Sequence, residues 1–161
     1  LMWIYNCSFS VLLNPQCHPA LVILPFVAQN EVSRLVDIYF DRLSVPLLCV
    51  QSDSVIALYG TPLENAIVIS FASENSVCVV PVADREVILG ASCAVETVNF
   101  TVKIVDVLKD MVASIGDRLM DSSGQIDVVL LGNHFPSGDN LFSSFGNGEL
   151  RALHLNRNPL D

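Results

Sequence analysis

Residues 66–82 read AIVISFASENSVCVVPV: two apolar runs, each long enough to lie buried, joined by a link of Ala, Ser, Glu and Asn. An unbroken series of aliphatic residues fits a strand covered on both faces, whereas a half-exposed strand alternates apolar with polar. Two such runs on a short polar link predict a hairpin at the centre of a sheet. The rest of the chain must bury that hairpin, and with 52% apolar residues it has the material to do so. So high a fraction implies either a large buried sheet or surface covered by a partner.

The flanking sequence supplies the other elements. Weak helical spacing predicts a short helix over 2–13, ended by Asn14-Pro15. His18-Pro19 then leads into ALVILPF, a proline-bounded run that predicts a buried strand. Over 31–43 the apolar residues recur at three and four, predicting an amphipathic helix, and Pro46 starts a second strand over 45–50. A helix over 52–59 ends at Gly60. After the hairpin come a strand over 86–89, a long helix over 97–115 on the face Val98, Val102, Val105, Leu108 and Val112, and Gly116 as its stop. Strands over 126–131 and 150–155 complete the pattern. Strands alternating with helices, with a hairpin meander ahead of the long helix, define an α/β fold with a mixed sheet.

A length of 161 residues suits one domain or two small lobes sharing a core. Lys and Arg number 8 against 17 Asp and Glu, and the basic residues are scattered singly, which disfavours nucleic-acid binding through a basic patch. The longest apolar run, 20–28, is about half of what spans a bilayer and contains Pro25, so no membrane segment is expected. No charged region precedes the first apolar residues, so no signal peptide is expected, and the opening Leu1 suggests a piece of a longer chain. An odd count of 5 cysteines without a Cys-x-x-Cys pair argues for a reducing compartment and free buried thiols. In an intracellular chain the sequons at Asn6 and Asn99 carry no meaning.

Residues that carry chemistry are sparse. His18 beside Cys17 lacks a ligand set at recognised spacing and reads as capping the start of a strand, and His134 and His154 stand alone. No Gly-x-Ser-x-Gly elbow supports a Ser-His-Asp arrangement, and Gly138-Asp139-Asn140 reads as a turn. The stretch LGNHFPSG over 131–138, a strand running into a Gly- and Pro-containing loop, suits a nucleotide's base and ribose.

Taken in order, these pieces resemble the actin and actin-related family. Trp3, Pro15 and His18-Pro19 before an apolar strand resemble the family's Trp, then Pro, then a His-Pro-Val-Leu-Leu strand. Phe40, Leu43 and Pro46 resemble its Phe, Phe and Pro, and Val55-Ile56-Ala57-Leu58-Tyr59 its Val-Leu-Ser-Leu-Tyr helix end. The hairpin falls on the family's second phosphate-binding hairpin, Gly-Ile-Val-Met-Asp-Ser-Gly-Asp-Gly, followed by Val80-Pro81. Val129-Leu130-Leu131-Gly132-Asn133 resembles its Leu-Ser-Gly-Gly turn at the adenine nucleotide. The ordered landmarks run from Trp3 to Pro81; the match is poor over 92–125 and recovers at Gly132.

The resemblance implies an actin-like, RNase H-like mixed-sheet fold in incomplete form: part of a first lobe over 1–60 and a reduced second lobe over 61–161 lacking the outer insertion subdomain. It also implies a degenerate nucleotide site. The family's metal-organising Asp falls on Ser70, its phosphate-wrapping glycines on Ala72 and Glu74, the Gln that positions water on Asp53, and the second adenine-turn Gly on Asn133 beside Gly132. The hairpin loop is also one residue longer before Val77. A hydroxyl cannot supply the charge that organises Mg²⁺, and Glu74 sets a negative charge where phosphate would lie.

The expectation is therefore no catalysis, no cofactor and no metal: a pseudo-ATPase serving as structural subunit of a hetero-oligomeric assembly. The resemblance implies a cytoskeletal, cytoplasmic setting of the dynactin pointed-end kind, with actin or actin-related partners, or a nuclear chromatin-remodelling one. The alternative is an ATP-binding member of the actin, sugar kinase and Hsp70 superfamily whose phosphate ligands lie upstream. An unrelated α/β domain is a third reading.

Overall fold

The computed structural model describes residues 14–26, 31–73, 76–96, 100–131 and 150–155. The helix expected over 2–13 and the landmark Trp3 lie outside them. The chain divides into two compact units, one of Leu1–Leu24 with Ala28–Gln51, the other of Pro25–Val27 with Ser52–Asp161.

In the first unit a 3-10 turn, Pro15–Cys17, is capped by Asn14, whose Oδ1 accepts from the Gln16 N–H at 3.2 Å. It leads to strand β1, Ala20–Leu24. Helix α1, Val32–Asp37, continues as a π-helical turn over Ile38–Arg42. That widened turn closes with Leu43 N–H on the Ile38 carbonyl at 3.1 Å and Val45 N–H on the Tyr39 carbonyl at 3.0 Å, with Ser44 left-handed at φ 52°. The chain reverses there without a glycine, and Pro46 follows.

Strand β2, Leu48–Ser52, pairs with β1 in a two-stranded sheet, and the Ala20 N–H donates to the Leu47 carbonyl at 2.8 Å. Among the described residues of this unit only Val45 is buried. The strand expected to be buried in ALVILPF is therefore a correction. β1 alternates half-buried and exposed positions, with Leu21 58% and Ile23 48% exposed. The physical reason is that burial on both faces needs a layer on each side, and a two-stranded sheet brings too few neighbours to provide them.

The second unit holds the core. Ser52 caps helix α2, Asp53–Tyr59, and Gly60 ends it. Strands β3, Ala66–Ser73, and β4, Ser76–Ala83, form the expected hairpin. Strand β5, Glu86–Val87, and strand β6, Cys93–Glu96, pair in succession along the other edge of β4. Helix α3, Phe100–Leu119, then leads to β7, Ile126–Leu131, which lies parallel to β3, and β8, Leu150–Leu155, lies parallel to β7. The order β5-β4-β3-β7-β8 is a mixed sheet: an antiparallel meander on one side, parallel strands on the other. The fold is thus α/β with a mixed sheet.

Strand alternation sorts the side chains onto two faces. Ile67, Ile69, Val77, Val79, Ile126, Val128 and Leu130 pack with Ile104, Leu108, Met111 and Leu119 of α3. Ala66, Val68, Cys78, Val80, Val82, Val129 and Leu131 pack with Val55 and Leu58 of α2. The largely apolar character of β3, β4 and β7 has its cause here, since a helix covers each face. Full burial of one such Val, Leu or Ile is worth roughly 1.5–3 kcal/mol.

Three further expectations need correction. The strand over 86–89 is two residues long and gives way to a 3-10 turn, Leu89–Ala91, and β6 was not foreseen. Gly116 does not stop α3, which runs on to Leu119. Gly116 is buried, and a Cβ there would stand 3.5 Å from Val112, 3.6 Å from Ile126 and 3.8 Å from Met120. A Cβ is thus accommodated at ordinary van der Waals distance, so neither space nor backbone angle requires glycine at 116; the left-handed glycine of this connection is Gly124 at φ 78°. Finally, of the thiols expected to be buried, Cys78 is, Cys93 is half-buried, and Cys17 and Cys49 are exposed because they lie in the thin first unit.

Candidate functional site

Of the positions singled out by the family resemblance, Asp53, Ser70 and Ala72 lie among the described residues. Ser70 is buried, 4% exposed, and by alternation shares the side of Ala66 and Val68. Its backbone is paired with Cys78 in β4 and with Leu131 in β7. Leu131 is the last residue of β7, so the chain leaves that strand toward Gly132 level with Ser70. Gly132, Asn133 and Glu74 themselves lie outside the described residues, as does His134.

Ala72 sits at a β-bulge. Pairing passes from Phe71 opposite Val77 to Ser73 opposite Ser76, leaving Ala72 as the extra residue of β3. A bulge inserts one residue and bends its strand.

Asp53 opens α2, on the face of the sheet that Ser70 shares. Its Oδ1 accepts from the Ser54 N–H at 2.7 Å, the Ser54 hydroxyl at 3.2 Å and the Ser52 hydroxyl at 3.4 Å. The Ser52 hydroxyl also accepts from the Ser54 N–H at 3.3 Å, the usual side-chain cap of a helix start. A Ser-Asp-Ser sequence after a strand folds this way because the first turn has unpaired N–H donors and favours a negative charge. One oxygen of Asp53 is thereby committed to holding its own helix.

The one buried carboxylate among the described residues lies elsewhere, and sequence reasoning missed it. Asp127 in β7 is 3% exposed, and Arg151 stands opposite it on β8. The Arg151 Nε donates to Asp127 Oδ1 at 2.6 Å and its Nη2 to Oδ2 at 2.8 Å, a bidentate pair. Hydrogen bonding to Asp127, then the Asp127 charge itself, pushes the Arg151 guanidinium above its already high ordinary pKa, with Asp121, 3.7 Å away, adding to the effect. The available signal was an acidic residue inside the apolar run IDVVLL, but its partner is 24 residues away in sequence.

Asp121 organises the turn from α3 into β7. Its Oδ1 accepts from the Ser123 hydroxyl at 2.6 Å, the Ser123 N–H at 2.8 Å and the Gln125 N–H at 2.9 Å. The Ser123 hydroxyl foremost, then the Gln125 N–H, holds the Asp121 carboxyl below its ordinary pKa. Burial pushes the Cys93 thiol up. Among the described residues no group of 3 or more His, Cys, Asp or Glu is arranged to hold a metal ion, and no described helix is long and apolar enough to cross a membrane.

The chain matches no protein-family model and no curated protein.

Proposed function

We propose that this chain is an actin-related structural subunit of a hetero-oligomeric protein assembly and that it does not hydrolyse ATP. The observation that carries the reading is the chemistry of β3 where it pairs with the last residue of β7. The side chain there is the buried Ser70 hydroxyl, while the buried carboxylate of the same sheet is Asp127, neutralised by Arg151. Organising Mg²⁺ and a polyphosphate requires anionic oxygen ligands at the phosphates, and a serine hydroxyl is a poor replacement.

The mixed sheet, a hairpin meander followed by a helix and parallel strands, supports assigning 61–161 to a reduced RNase H-like lobe. The apolar side chains left open in the first unit, Leu21, Ile23 and Leu47, support a role within an assembly, where a neighbouring chain covers them. On this reading 1–60 is a partial first lobe that a partner completes. The partners are proteins, actin-like subunits among them, and the setting is a cytoplasmic cytoskeletal complex or a nuclear remodelling one.

Calorimetric titration of the purified protein with ATP, with and without Mg²⁺, tests the reading. The expected result is no saturable Mg²⁺-dependent binding in the micromolar range. Micromolar Mg·ATP affinity would overturn it in favour of an ATP-binding member of the same superfamily.

A further inference from the structure

We draw no further inference here: the strongest candidate, the open apolar face of the β1–β2 sheet with Leu21, Ile23 and the preceding Leu47, is an unpartnered sheet face and nothing in the structure shows what covers it.

Discussion

Strands β1 and β3 have nearly the same composition, ALVIL against AIVIS at their starts, and opposite fates. β3 lies between β4 and β7 with α2 on one face and α3 on the other, and its residues from Ala66 to Ser70 are all buried. β1 pairs with β2 in a sheet of two, and Leu21 and Ile23 remain largely exposed. An apolar run records what a strand is built to touch; neighbours decide whether the burial is realised. The second unit realises it within this chain, and the first does not.

The sharpest break between the units comes from truncating one leucine in each. Leu108→Ala, at a fully buried position under the sheet, is expected to cost about 2–5 kcal/mol through lost burial and the cavity left behind. Leu21→Ala, at a position 58% exposed, is expected to stay within about 0.5 kcal/mol in the free chain, as other surface changes do. Urea denaturation of both variants checks the contrast. In an assembly that covers β1, Leu21→Ala would weaken association while leaving the free chain unchanged.

Gly116→Ala gives a smaller effect of opposite sign. The new Cβ would meet its neighbours at 3.5–3.8 Å, ordinary van der Waals distance, and the residue is not left-handed. The substitution is therefore expected to stabilise by about 0.5–1 kcal/mol, because glycine in mid-helix costs backbone entropy. A lowered melting temperature would mean that Val112, Ile126 and Met120 do not leave room for the added Cβ.

How much of the two units was legible in the sequence follows from how local each signal is. The β3–β4 hairpin, β7, β8 and the helix α2 ending at Gly60 could be read because each is fixed by a run of a few residues. Those signals lie within Ala66–Ala83, Ile126–Leu131, Leu150–Leu155 and Asp53–Gly60, whereas the Ser52 cap came only with the structure. β6 was not legible: Cys-Ala-Val-Glu is strand only because the outer edge of β4 is free to receive it. The end of α3 was misread because glycine is a common helix terminator but not an obligatory one: the helix continues through Gly116 to the buried Leu119, and the left-handed glycine comes later, at Gly124.

Of the positions picked out by the resemblance, Ser70 lies by strand alternation on the side of the sheet that α2 covers, and Asp53 opens that helix. The Asp127–Arg151 pair depends on the register of two parallel strands. No local pattern encodes that.

The smallest expected effect concerns acid stability. Asp121 has its folded-state pKa held below the ordinary 3.8. A depressed carboxyl contributes stability that is fully present above its unfolded value and is lost as pH falls through the folded one. Wild type should therefore lose stability relative to Asp121→Asn as pH drops below about 3.8, and the two should run parallel at neutral pH. Thermal melts of both proteins from pH 3 to 7 read the difference; screening at this exposed site keeps it modest.

The central claim is that one part of this chain carries its own core and the other does not. Native-state hydrogen exchange on the unmodified protein tests it most directly. The amides of Val68, Val79 and Val129 are expected to exchange only through global unfolding, while the Ala20 amide, bonded to the Leu47 carbonyl, exchanges through a far cheaper local opening. Protection at Ala20 equal to that at Val68 in the free chain would contradict the account.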